Sequence, residues 1–241
     1  MTSAGAPLPA PSTHAAPAVS ATARSSGTLT ASGPSGGRTE VLAGAVVVGV
    51  TLVTALWLRF HPGPVFLDHW GFALVHPANG NRYWQRVTDL RSVTVLAVGS
   101  VLAAALAVAR DRWRALACLV APTLAVVLTE YVLKPGVGRR FAEVLSFPSG
   151  TTTVVGSVAM AWVLAAPPRV RPVVTALAAS AVILECIAVV ALQWHYPSDA
   201  LAGALLGAGV VVLVDGILHL GAGRVRGRHA AGPVSAGPPT R

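Results

Sequence analysis

The sequence predicts an all-α, polytopic membrane protein, a six-transmembrane-helix bundle with its active site on the extracytoplasmic face. Three observations carry this. Apolar residues gather in six stretches of spanning length. Only 11% of the 241 residues are charged, where a soluble domain carries about a quarter. The basic residues also divide unevenly between the two sets of connecting segments.

Residues 1–39 are rich in Ala, Ser, Thr, Pro and Gly and lack an apolar run. Such a segment cannot bury enough surface to offset the entropy of ordering, so a disordered cytoplasmic tail is expected. The first apolar run, near residues 41–58, lies behind a long polar leader and is long enough to span, which argues against a cleaved secretory signal. Further spans are expected at about 92–109, 115–133, 151–166, 172–192 and 200–220, so that residues 40–221 form the membrane domain. Residues 222–241 read as a basic, disordered cytoplasmic tail.

Six spans leave both termini on one side. Arg110, Arg112, Arg114, Arg169 and Arg171, with the arginines of the two tails, put 11 of the 18 basic residues there, and the positive-inside rule makes that side cytoplasmic. This points to multi-pass insertion in the cell membrane. With the basic excess explained by the bilayer, no nucleic-acid partner is expected. Cys118 and Cys186 both sit inside apolar runs and read as small core hydrophobes rather than disulfide partners or metal ligands.

The opposite side still holds Arg59, Arg82, Arg86, Arg91, Lys134, Arg139 and Arg140. An anionic ligand would compensate the three cations between 134 and 140. The long first outer loop, residues 66–91, mixes Phe66, Leu67, Trp70, Phe72, Leu74 and Val75 with polar residues, the pattern of an amphipathic helix lying at the interface.

Three stretches fall at the outer ends of the last four spans and can therefore converge although they are far apart in sequence. Residues 134–140 (Lys-Pro-Gly-Val-Gly-Arg-Arg) offer Lys134, Arg139 and Arg140 around glycines that permit close backbone approach to a phosphate. Taken alone, they equally fit a basic loop reaching lipid headgroups. Residues 147–153 (Phe-Pro-Ser-Gly-Thr-Thr-Thr) open the fourth span, where Ser149 or Thr151 can cap the helix and the first N–H groups make an anion site; a simple cap gives the same pattern. In residues 194–199 (Trp-His-Tyr-Pro-Ser-Asp), Asp199 can hold one ring nitrogen of His195 and leave the other as nucleophile or base; an interfacial aromatic belt with Asp199 as a cap is the other reading.

Together these motifs, with Ala-Leu-Ala-Gly after Asp199, resemble the type 2 phosphatidic acid phosphatase and vanadium haloperoxidase superfamily over roughly residues 66–220. The resemblance implies a metal-free and cofactor-free lipid-phosphate phosphatase acting at the outer face through a phosphohistidine. By position, His195 would attack phosphorus and Asp199 would orient it. Lys134 would bind phosphate, Ser149 and Gly150 would donate to it, and Arg139 or Arg140 would serve where the first motif has its arginine.

Three departures stand out. Phe141 and Ala142 occupy the places of the first motif's Arg-Pro; Thr151 replaces the second motif's histidine; Ala188 and Val189 replace the third motif's Ser-Arg. Threonine cannot act as a general acid near neutral pH. General acid catalysis is worth roughly 100- to 10,000-fold, and an alkoxide leaving group needs it most. A lipid diphosphate, such as a polyprenyl diphosphate, is therefore the expected substrate, because it expels a phosphate monoester. His69 and His76, in the first outer loop, are the candidates for a replacement acid.

Two other functions compete. One is an impaired relative that binds lipid phosphates or protein partners. The other is a proton-coupled transporter, raised by Glu130, Glu185 and Asp215 in or near spans. Glu130 stands four residues before Lys134 and is placed to pair with it, while Asp215 and His219 are expected to reach water at the cytoplasmic end. Gly203 and Gly207 form a small-xxx-small pair for close helix contact, with Gly44, Gly49 and Gly156 as further candidates.

Overall fold

A computed structural model describes residues 34–230, with side chains over residues 37–224. Most of both expected tails lies outside the described residues; where they are described, at 34–39 and 222–230, the chain is helical. The helices are α1 (Pro34–Phe60), α2 (Phe66–Leu74), α3 (Arg82–Val87), α4 (Val93–Val108), α5 (Arg112–Val127), α6 (Lys134–Val137), α7 (Gly150–Ala165), α8 (Arg171–Ala191) and α9 (Pro197–Ala230). A π-helical stretch, Leu128–Leu133, joins α5 to α6, and a two-stranded hairpin, β1 (Arg140–Phe141) with β2 (Val144–Leu145), follows.

Local chemistry sets several boundaries. The Ser92 hydroxyl accepts from Val95 N, and the Asp111 carboxylate accepts from Trp113 and Arg114 N, so α4 and α5 begin on side-chain caps. Gly138, with φ of 71°, ends α6 in the left-handed conformation that glycine adopts without a Cβ clash. Pro167 and Pro168 stop α7.

Each of the six expected apolar stretches contains a helix. Four helical stretches are long and apolar enough to cross a membrane among the described residues: Gly37–Phe60, Arg112–Val137, Arg171–Ala191 and Pro197–Arg224. The stretch Arg82–Arg91 with Val93–Val108, bent by 50°, makes a fifth if counted as one span. Helix α7 has 16 residues, or about 24 Å, less than the roughly 30 Å of a bilayer core. Its first nine residues are all buried, and it packs against α4, α5, α8 and α9.

The packing suits a lipid solvent. Helix α9 packs against α1, α5 and α7, and the cluster where α4, α5, α7 and α9 meet is built of Ala103, Ala107, Cys118, Ala121, Ala161 and Val211. Large apolar side chains such as Val46, Leu56, Leu102, Leu124 and Ile183 face outward. Small residues inside and large ones outside are what helix association in a membrane favours, because close backbone approach rather than water exclusion drives it. A Cβ on Gly203 would overlap the Ser149 carbonyl and one on Gly207 the Thr153 carbonyl, so α9 meets α7 backbone to backbone. Gly44 against Leu213 and Gly156 against Ala204 are similar, whereas Gly49 faces open space.

Both cysteines behave as core residues, their thiols directed at the Ala161 and Ala200 carbonyls. Helix α2 is the amphipathic element expected in the first outer loop: Phe66, Trp70 and Leu74 form an exposed apolar stripe at four-residue spacing, and Asp68 is buried. At the far end, Asp215 and His219 do not reach water freely. Asp215 is fully buried and paired with Arg114 at 3.2 Å, Arg114 also contacts Glu40 at 3.4 Å, and His219 Nε2 lies 2.6 Å from Asp111. Hydrogen bonds from His219, Arg114 and Trp113 outweigh the effect of burial and hold the Asp111 carboxyl below its ordinary range.

Candidate functional site

At the other end of the bundle a cavity of about 500 Å³ gathers side chains from five parts of the chain. Its polar lining is Arg91, Glu130, Lys134, Thr151, Gln193 and His195, with the Gly150 backbone. The three predicted motifs therefore do converge, and each contributes a different group.

His195 sits in the turn between α8 and α9, shaped by Gln193 at φ of 56°. Its Nδ1 lies 3.0 Å from the Ser146 carbonyl oxygen. A carbonyl can only accept, so Nδ1 carries the proton and Nε2 keeps its lone pair. The imidazole is buried, and burial, reinforced by the positive charges of Lys134 and Arg91, pushes its pKa down to about 4. At neutral pH the ring is uncharged and has a defined tautomer, with Nε2 free of the proton.

The expected partner of that ring is elsewhere. Asp199 does not orient His195: its Oδ1 accepts from Arg139 Nη1 at 2.5 Å and its Oδ2 from Tyr196 N at 3.3 Å. Asp199 lies in the first turn of α9, where a carboxylate turned back onto the helix start satisfies a backbone donor. The Ser146 carbonyl takes over the orienting contact with His195.

Arg139 is likewise not a phosphate ligand in this arrangement. It is fully buried, and besides Asp199 it bonds Asp68 (2.7 Å), the Ser198 hydroxyl (2.8 Å) and the carbonyls of Pro62 and Gly63, with its guanidinium 4.2 Å from the Tyr196 ring centroid. With its donors taken by the protein, it acts as a clasp tying the loop after α6 to α2 and α9. Arg140 also stands outside the cavity, exposed, its Nη1 donating to Glu143 O in the hairpin. Burial alone would raise the Asp68 carboxyl, but hydrogen bonds from Ser198, Val65 and Arg139 hold it below its ordinary range.

Ser149 is the cap of α7: its hydroxyl accepts from Thr152 N at 3.5 Å and its own N–H donates to Asp199 O at 3.0 Å. It is buried and does not line the cavity, whereas Gly150 and Thr151 do. The first turn of α7 thus presents its N–H groups and positive dipole end to the cavity. Lys134 Nζ bonds both oxygens of Glu130, at 2.8 and 2.9 Å, as the four-residue spacing predicts.

Three residues escaped the sequence reading. Arg91 lines the cavity, its guanidinium 4.9 Å from the Trp194 ring centroid, and supplies a cation where Val189, packed in the apolar cluster of Val190 and Ala200, cannot. Its place before a span, among the seven cations read on the outer side, was the available signal. Glu130 was read as a partner of Lys134 and as one of the acids that raised a transporter, not as a residue of this cavity. Asp68 was signalled only as one acid within the apolar run that became α2. His69 and His76 are exposed and do not line the cavity. Glu185 is fully buried, and neither carboxyl oxygen has a hydrogen-bond partner among the described residues.

A second cleft of about 540 Å³, almost wholly apolar, lies between α2, α7, α8 and α9, lined by Trp70, Leu74, Val163, Ile183 and Leu201 among others.

Compared with known proteins, residues 137–218 match the family model of the PAP2 superfamily, consistent with a member of the type 2 phosphatidic acid phosphatase superfamily. The matched segment holds the hairpin, α7, α8, His195 and Asp199, and begins just after Lys134. No curated protein and no solved structure matches the chain.

Proposed function

From this PAP2 superfamily segment, we propose that the protein is a membrane lipid-diphosphate phosphatase that works through a phosphohistidine at His195. The observation that carries the reading is His195 itself, uncharged, with Nδ1 committed to Ser146 and Nε2 left for attack, in one cavity with Lys134, Arg91 and the start of α7. We place the cavity on the extracytoplasmic side of the cell membrane, with both termini cytoplasmic, because Arg110, Arg112, Arg114, Arg169 and Arg171 lie at the opposite end.

In the first step Nε2 attacks the terminal phosphorus and forms a P–N bond. The P–O bond to the inner phosphate breaks, and the lipid monophosphate leaves with the electron pair. That leaving group needs little protonation at neutral pH, since the second phosphate pKa is about 6. Lys134, Arg91 and the N–H groups opening α7 hold the transferring oxygens as charge shifts among them. Thr151, with no proton to give at this pH, suits such a substrate better than an alkyl phosphate.

The test is phosphate release in detergent without added metal, comparing a polyprenyl diphosphate with phosphatidic acid. The diphosphate should turn over faster, and His195→Ala should abolish it. Faster turnover of phosphatidic acid would remove the leaving-group argument. A second reading, a lipid-phosphate binder without turnover, draws support from Thr151 and Val189, which stand where the resemblance has a histidine and an arginine. Lipid-phosphate binding by a folded protein that releases nothing from either lipid would favour it.

A further inference from the structure

Breaking the P–N bond requires a group that takes a proton from water, and it cannot be His195, whose Nε2 is then bonded to phosphorus. The cavity's titratable side chains among the described residues are Arg91, Glu130, Lys134 and His195. Arginine and lysine ammonium have no acceptor, and threonine is not a base near neutral pH, so the Glu130 carboxylate is the remaining acceptor able to hold a proton.

Its placement fits the task. Glu130 belongs to the π-helical stretch Leu128–Leu133, a departure from α geometry that recurs at functional positions. A Cβ on Gly150 would overlap Glu130 Oε1 and come within 3.3 Å of Lys134 Nζ. The carboxylate and ammonium thus lie directly over the first turn of α7, where the phosphoryl group would be held, and glycine at 150 makes room for them. Asp199 is engaged by Arg139 and Tyr196 and does not line the cavity.

We propose that Glu130 is the general base that activates water for hydrolysis of the phosphohistidine. The inference rests on the phosphohydrolase reading above. The water oxygen bonds to phosphorus and its proton passes to the Glu130 carboxylate. The P–Nε2 bond breaks, and its electron pair returns to the imidazole. Inorganic phosphate departs, and Glu130 gives its proton to solvent. Lys134, bonded to both carboxylate oxygens, aims the base and neutralises it beside an anionic intermediate.

The experiment is rapid mixing of the full chain, in detergent, with a polyprenyl diphosphate labelled in its terminal phosphate. It follows prenyl monophosphate release and acid-labile phosphate bound to the protein. In Glu130→Gln, whose amide can still bond Lys134, the first-turnover burst should stay within about threefold of the unaltered protein. Labelled phosphoprotein should accumulate, and steady-state release should fall by about 100-fold or more. His195→Ala should form no phosphoprotein.

Equal loss of burst and steady state in a Glu130→Gln protein that melts normally overturns the proposal, because Glu130 would then only hold Lys134; so does unchanged steady-state release. If Glu130→Gln does not fold, Glu130→Asp takes its place, with the burst expected to persist and steady-state release to slow. A steady state that does not slow in Glu130→Asp overturns the proposal. Failure of the unaltered protein to form phosphoprotein or release product overturns the phosphohydrolase reading and this one with it.

Discussion

Arg139 and Asp199 stand 2.5 Å apart with both side chains withdrawn from solvent, and the same guanidinium reaches Asp68 at 2.7 Å. Two buried carboxylates from α2 and α9 are held by one cation. Removing one partner of a buried pair costs about 3–5 kcal/mol, because the remaining charge is left unpaired. Arg139→Ala should therefore lower the melting temperature in detergent sharply, and Arg139→Lys should recover little, since an ammonium cannot reach the same set of acceptors. Arg140→Ala, on an exposed residue, should fall within about 0.5 kcal/mol of the unaltered protein.

In the proposed reaction His195 sets the acid limit of activity. Its pKa is pushed down to about 4, so the nucleophile stays uncharged well below the ordinary histidine range. The acid limb of kcat/KM should fall near pH 4 rather than near the ordinary 6.5. Stability follows from the same shift. Between 6.5 and about 4 the unfolded chain binds a proton that the folded chain refuses, so stability falls as pH drops through this window and levels off below it. His195→Gln should flatten that part of the melting profile.

Arg91 should act on binding. Loss of a charge-assisted hydrogen bond costs about 1.5–3 kcal/mol, or roughly 10- to 100-fold. Arg91→Ala should weaken inorganic phosphate inhibition and raise KM on that scale. Arg91→Lys should restore part of it, because the cation is kept and the stacking on Trp194 is lost.

Gly203 and Gly49 offer a contrast within apolar helices. A side chain at 203 meets the Ser149 carbonyl and Thr152 Oγ1, atoms fixed at the start of α7, so Gly203→Val should destabilise by about 1–3 kcal/mol or more. At 49 a Cβ meets nothing within 4 Å, and Gly49→Ala should add about 0.5–1 kcal/mol through lower backbone entropy in the unfolded chain. Paired melting curves in one detergent check both.

The parts of this architecture that were legible in the sequence are those written locally. Apolar runs located the helices, and Lys134, Gly150, Thr151 and His195 reached one cavity because each sits at or beside a helix end. What the sequence could not express is which partner a charge finds. Arg139 looked like a phosphate ligand because the side chains that engage it, Asp68, Ser198 and Asp199, lie 59 to 71 residues away. Asp215 looked water-facing because Arg114, 101 residues distant, is invisible to helical spacing. Span length was also indistinct, since a helix sheathed by neighbours, as α7 is, need not match the bilayer by itself.

The π-helical stretch Leu128–Leu133 decides where the chain can change length without losing the cavity. Such a stretch holds one residue more than the α-helix around it would. Deleting a single residue there would let the segment close to regular α geometry with the helix beyond it in phase, whereas inserting one in the regular turns of α5 would turn everything beyond it by about 100° about the helix axis. The face that now carries Lys134 would then swing away from the start of α7. A one-codon insertion that keeps every side chain of the motifs would therefore disassemble the cavity, whereas a one-codon deletion within the π-helical stretch would leave Lys134 facing it.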